Sequence, residues 1–381
     1  MASRVALVRC DTYDDSAVDA AVTRGIELLG GIEQFVRPGE RILIKPNLLT
    51  GSKPEELVSP HPTVFRAVGK QLQKAGAELS YGDSPGFGSG LAAAKKAGLA
   101  QVADALSIPF ADMSQGRQVS FPEGTLVKQF TIANAALDAD GIVSVCKMKS
   151  HGLTRITGAV KNLFGCIPGT LKSEFHVRMP DQDKFTHMIV DLARYLKPRL
   201  HIMDGVIAME GNGPRGGDPK PMRVILISED PVAIDATFAR LVNLDVKLVL
   251  TCVYGEESGF GTATDIEILG DEIEQFVAPD FVVNRSAGST TGTSGRLTFV
   301  RNLMVPKPVI REARCTRCGT CISVCPVSPK AVAWPTPEGA KAKLVPVHHY
   351  DRCIRCYCCQ ELCPEKAIEV ETPLLGRLIH R

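Results

Sequence analysis

A chain of 381 residues, 44% hydrophobic and 23% charged, is ordinary globular protein long enough for two or three domains. Its net charge of +2 supplies no basic stripe for nucleic acid, and no stretch of about 18 or more apolar residues is present to span a bilayer. Residues 1–10 lack the basic, apolar pattern of a secretory leader, so the cytoplasm is the expected location, with neither nucleic acid nor membrane as a partner.

Residues 3–9 read as a strand and 16–29 as a helix with a serine cap. An apolar strand over 41–44 stops at Lys45, Pro46 and Asn47. A helix over 63–75 closes at Gly76, and a strand over 77–81 stops at Gly82, Asp83, Ser84, Pro85 and Gly86. Strand, helix, strand is the rhythm of a parallel sheet. It returns at 141–145, which runs into Lys147, Lys149 and His151, and at 199–203, which follows a helix over 183–196 and stops at Asp204 and Gly205. A strand over 222–227 stops at Glu229, Asp230 and Pro231, a helix covers 232–241, and a late strand covers 265–269. The expected fold is α/β, a mostly parallel sheet with helices on both faces.

Five of these strands end in charged or turn residues, and in a parallel sheet such ends share the edge where open α/β folds bind ligands. The densest stretch, 147–169, combines Lys147, Lys149, His151, Arg155 and Lys161 with Thr154, Thr157, Asn162 and four glycines. Residues 157–162 at a helix N-terminus would add unpaired N–H donors, so an anion fits there. GxxxxGK[ST] is absent and the glycines near 86–90 do not match GxGxxG, so no nucleotide is implied. The glycine- and proline-rich segment 210–220 reads as a loop, a lid in preference to a linker. Cys146 and Cys166 read as buried structural thiols.

Near the C-terminus CxxCxxCxxxCP occurs twice, as Cys315, Cys318, Cys321 and Cys325 and as Cys353, Cys356, Cys359 and Cys363, each residue 38 positions after its counterpart. Thiolates are soft ligands suited to iron-sulfur clusters, whereas zinc knuckles separate their pairs more widely and disulfide frameworks need an oxidising compartment. The run is similar to that of bacterial two-cluster ferredoxins, whose fourth cysteine ligates the other cluster. That pattern implies two [4Fe-4S] clusters, one on Cys315, Cys318, Cys321 and Cys363, the other on Cys353, Cys356, Cys359 and Cys325. Cys358, outside the repeat, is expected to be a small buried residue. Short strands at 331–334 and 343–347 around a turn at 335–339 are expected to form a hairpin between the runs. Segment 305–381 holds 12 Lys plus Arg against 7 Asp plus Glu, and Arg314, Arg317, Arg352 and Arg355 are candidates to offset cluster charge. Residues 284–296 read as a mobile connection. The expected division is an α/β domain over 1–300, a linker over 301–311 and a small α+β ferredoxin-like module over 312–372.

The strings IKPNL (44–48), GDSPG (82–86), KMKSH (147–151), TGAVKNLFG (157–165), DGVIAMEGNGP (204–214) and DPVAID (230–235) resemble, in that order, the domain-of-unknown-function family number 362. The resemblance covers roughly residues 5–270 and the cysteine module. It implies an iron-sulfur protein with an appended ferredoxin domain and brings no settled reaction. Two function classes follow. The first is an oxidoreductase passing electrons from two [4Fe-4S] clusters to an anionic substrate or cofactor at the basic edge. In it His151, Lys149 and Lys161 are the catalytic candidates, and Lys45, Asn47, Asp83, Lys147, Thr157, Asn162, Asp204, Glu210 and Asn212 the binding candidates. His151, with an unperturbed pKa of about 6.5, would supply protons. The second is an electron-transfer or cluster-carrying accessory whose α/β domain docks a partner. Either needs a redox partner protein or a small-molecule electron donor.

Overall fold

The computed structural model describes residues 2–169, 171–288, 298–336 and 343–379, so most of the expected mobile connection and the centre of the 335–339 turn lie outside the described residues. In chain order the first strands are β1 (Ser3–Arg9), β2 (Arg41–Pro46), β3 (Glu78–Tyr81), β4 (Gly116–Ser120), β5 (Gln129–Ala133), β6 (Gly141–His151), β7 (Arg155–Thr157), β8 (Leu200–Glu210), β9 (Asp218–Ser228) and β10 (Ile266–Gly270). A continuous sheet runs β10-β1-β9-β8-β6-β2-β3, with β7 folded back on β6 and β4–β5 standing apart as an antiparallel ribbon.

Period-two alternation sorts the strand residues onto two faces. Ala6, Val8, Ile42, Ile44, Val143 and Val145 pack against the helices Asp15–Leu28 and Pro62–Lys74. Leu7, Leu43, Ile142, Cys146 and Met148 pack against the helices Gln182–Leu196 and Pro231–Leu241. Both faces are thus covered, as near-continuous apolar strands require.

Three local expectations are corrected. The first helix starts at Asp15 with Asp14 as N-cap, leaving Ser16 inside its first turn. β9 is antiparallel to both β1 and β8, because 211–217 is too short for a crossover and can only close a hairpin. Glu229 and Asp230 therefore lie at the opposite edge from the other strand ends, and the 210–220 segment is a hairpin turn flanked by strand, not a lid. β6 and β8 also run further than their apolar cores, so Lys147, Lys149, His151 and Asp204 are strand residues whose charges are accommodated inside the fold.

The cysteine module adds β11 (Lys307–Ile310), β12 (Val332–Ala333), β13 (Val347–His348) and β14 (Ile368–Glu371). β12 and β13 form the expected antiparallel hairpin, shortened, and β11 pairs with β14 to tie the two ends of the module together. The module seats directly on the loops at the C-terminal ends of the parallel strands. A Cβ on Gly86 would lie 2.9 Å from Leu362, and one on Gly152 would lie 3.3 Å from Val370. No helix among the described residues is long and apolar enough to cross a membrane.

Candidate functional site

The cysteine repeat is also a repeat of backbone shape. Arg317 and Arg355, each one residue before the second cysteine of its run, both have φ of 62°, and Gly319 and Tyr357 follow in the left-handed region at 77° and 62°. These turns gather the thiols around two cavities. One is lined by Cys315, Cys318, Cys321 and Cys363 among Ile310, Ala367 and Ile368; the other by Cys325, Cys353, Cys356 and Cys359 among Val332, Ile354 and Tyr357. Four soft donors around an apolar hollow fit a cubane. Backbone N–H groups of Ala331 and Ala367 reach the fourth sulfurs, Cys325 Sγ and Cys363 Sγ, at 3.3 Å each, a contact that steadies a ligating thiolate.

Between this module and the sheet edge is a pocket of about 80 Å³. The α/β domain lines it with Asn47, Asp83, Ser84, Lys149, His151, Thr157, Lys161, Asn162, Lys172 and His176, and the module closes it with Cys358, Glu361 and Leu362 from the helix Cys358–Glu361 and its end. Local structure fixes each group. His151 Nδ1 accepts from the N–H groups of Leu153 (3.0 Å) and Thr154 (3.3 Å), which leaves the ring proton on Nε2. Nε2 stands 3.2 Å from Glu361 Oε1 in a buried contact, and neither atom has another hydrogen-bond partner among the described residues. Lys149 Nζ donates to Val58 O at 2.7 Å, and Lys172 Nζ to Ser84 Oγ at 2.8 Å. Lys161 makes no ion pair or hydrogen bond among the described residues, and its ammonium lies 5.8 Å from the Phe164 ring centre. Lys45 pairs with Asp83 at 2.6 Å and donates to Asn162 Oδ1 at 2.9 Å, which anchors the pocket floor. Gly165 is required there, since a Cβ would sit 1.9 Å from Asp83 Oδ1.

Burial and mutual repulsion shape the ionisation. Burial, with Lys161 and Lys147 nearby, brings Lys149 down to about 7, and burial brings Lys172 down to about 8. Burial also lowers Lys161. Burial and the Lys161 charge hold His151 near 4, and burial holds His176 near 4. Burial opposes ionisation of Glu361, but His151 and Lys161 outweigh it and bring its carboxyl to about 2. With Asp83 committed to Lys45, the pocket is a positive chamber with one carboxylate in its wall.

Comparison with known proteins gives this arrangement a family. The model of the domain of unknown function DUF362 matches residues 42–240, and that of a 4Fe-4S dicluster domain matches 314–367. The chain belongs to the DUF362 family. A thylakoid-associated protein of Synechocystis sp. is 36% identical over 268 residues, 70% of this chain and 83% of that one. Among solved structures, the lactate racemase apoprotein of Thermoanaerobacterium thermosaccharolyticum is 13% identical with a TM-score of 0.38, covering 60% of this chain and 54% of its own. A Thermotoga maritima protein is 11% identical with a TM-score of 0.36, covering 67% and 61%. The module of this DUF362 chain binds iron-sulfur clusters and gives the protein an electron-transfer role.

The DUF362 motifs place seven expected residues in the pocket wall, Asn47, Asp83, Lys149, His151, Thr157, Lys161 and Asn162, with Lys45 directly behind. Four are elsewhere. Lys147 is buried against Asp204 (2.8 Å) and Tyr13 (2.7 Å), with Tyr13 also bonded to Asp204, a closed network that leaves no charge for a ligand. Glu210 accepts from Val282 N, and Asn212 is a clamp whose side chain bonds Ile368 O and Gln360 across the module interface. The expected anion seat on the N–H groups after Gly158 is taken by Asp235, which accepts from Ala159 N (2.6 Å) and Val160 N (3.2 Å). Sequence reasoning missed Lys172 and His176, whose i,i+4 spacing puts both on one helical face, and Glu361, a carboxylate placed between Cys359 and Cys363 of the repeat.

Proposed function

We propose that this protein is an iron-sulfur oxidoreductase that reduces a small anion held in the pocket between sheet edge and cysteine module. The observation that carries the reading is the pocket wall itself. One side brings three lysines and two histidines, and the other is the helix that supplies ligand Cys359. A cavity of about 80 Å³ has room for about two to three waters or an anion of similar bulk. Two [4Fe-4S] clusters, one per cysteine quartet, would supply electrons singly.

The chain's own residues do the rest. Lys161, without an ion pair or hydrogen bond among the described residues, and Lys172 bind the anion, and both stabilise charge that grows on it during reduction. His151 stays neutral and offers its Nε2–H as a fixed donor, so the proton-supplying role expected of it passes to Lys149, whose value near 7 suits an acid at neutral pH. Helix Cys358–Glu361 keeps water out on the module side.

The test uses the full chain purified anaerobically, with sulfate and acetate as binding probes by calorimetry and mass spectrometry of any small molecule that co-purifies. Binding that disappears in Lys161→Met supports the pocket. If neither probe binds and no anion co-purifies, while the reduced chain passes electrons only to other proteins, the accessory-protein reading replaces this one.

A further inference from the structure

We infer that the two cysteine quartets have unequal roles: electrons enter at the quartet around Cys318 and leave from the quartet beside Cys358, which buried Arg355 holds at the higher potential. This rests on the reading of the pocket as the site of reduction.

Three observations give the direction. Cys318 is the one exposed cysteine of the chain, whereas each member of the other quartet is buried or half-buried. The entrance belongs where a donor reaches closest to a ligand sulfur. Cys358 lines the pocket and stands in sequence between Cys356 and Cys359, two members of the second quartet. On the Cys363 side the pocket wall is instead the aliphatic side chain of Leu362.

The third observation is a broken symmetry. Arg317 and Arg355 occupy the same place in the repeat and share the same φ, yet their surroundings differ. Arg317 is 35% exposed and faces Glu312 at 3.5 Å, so its charge is screened and paired. Arg355 is fully buried, donates to Asn302 at 2.6 Å, lies 5.0 Å from the Tyr350 ring centre, interacts with the Cys353 thiol, and has no carboxylate partner among the described residues. Arg301, donating to Cys353 O at 2.9 Å, adds a second buried cation on the same side. A buried positive charge favours the more negative, reduced state, so the quartet beside Arg355 takes the electron more readily. A one-electron carrier protein is oxidised by one electron at each encounter. Two such encounters deliver two electrons to the pocket.

The experiment is an EPR redox titration of the full chain with its clusters in place. Two signals of different potential are expected, and Arg355→Gln should move the higher one downward while leaving the lower one in position. Arg317→Gln, the symmetry-related change, should move neither by a comparable amount. Equal shifts of both signals, a shift confined to the lower one, or two signals of the same potential overturn the assignment. A second measurement needs no substitution: a soluble dysprosium chelate should speed relaxation of the lower-potential signal first, and faster relaxation of the higher one reverses the direction. Neither readout involves an anion, so failed sulfate binding would count against the pocket and leave this order standing.

Discussion

Gly165→Ala tests whether the Lys45–Asp83 pair is the keystone of the pocket. The new Cβ would lie 1.9 Å from Asp83 Oδ1 and 2.6 Å from Lys45 Nζ, and the backbone cannot retreat freely because Gly165 O accepts from Ser84 N at 3.0 Å. Something must move, and the 2.6 Å ion pair, fully buried on the lysine side, is what lies in the way. Separating a buried pair costs about 3–5 kcal/mol, because each charge is left desolvated without its partner. With unfolding entropy of about 2.1 cal/mol/K per residue over roughly 300 residues, about 4 kcal/mol lowers the melting temperature by about 6 °C. Thermal unfolding followed by circular dichroism measures this, with Gly51→Ala as control, since a Cβ there meets only ordinary contacts at 3.4 Å. Sulfate binding should weaken in the same variant, as Asn162 loses the lysine that positions it. A drop in melting temperature no larger than the control's, with sulfate affinity intact, would refute the reasoning.

Lys161→Met should lower sulfate affinity by about 10- to 100-fold, the value of a charge-assisted hydrogen bond of about 1.5–3 kcal/mol, and calorimetry reads it directly. Sulfate affinity should fall as pH rises through about 7 to 8, because Lys149 and then Lys172 lose their protons there, and Lys149→Met should remove the lower step. The same depression has a stability consequence. Above about 7 the unfolded chain holds more protons than the folded one at Lys149, so this residue makes stability rise with pH from there toward its ordinary value, and a flat response in denaturant titrations would contradict it. Iron analysis should find about eight irons per chain, and about four would remove one of the two clusters. Asn212→Ala cuts the bonds to Ile368 O and Gln360, so hydrogen exchange should quicken in β14 while the sheet core stays protected; unchanged exchange in β14 would show that Asn212 is no clamp.

The sheet, its covered faces and the cysteine module were legible because their signals are local: apolar runs of strand length, helices between them, and a ligand spacing that repeats. Direction was harder. Nothing in residues 222–227 distinguishes a parallel from an antiparallel strand, and the shortness of 211–217 was the only sign that β9 must turn back. Charge was harder still. Lys147 and Lys149 are two residues apart on one strand and look alike in sequence, yet Asp204 and Tyr13 neutralise the first while the second meets only Val58 O and the pocket. Partners 57 and 134 positions away decide which lysine is free, and spacing does not encode them. Glu361 was passed over for the same reason, since its role comes from a neighbour in another domain.

Because Cys358, Glu361 and Leu362 wall the pocket from the module's side, recognition and electron supply are inherited together. A ferredoxin domain transplanted from elsewhere would bring its clusters but leave the chamber open on one side, without the carboxylate facing His151. Under the proposed function, a substitution among the residues between Cys356 and Cys363 would alter what the pocket accepts as well as how electrons reach it.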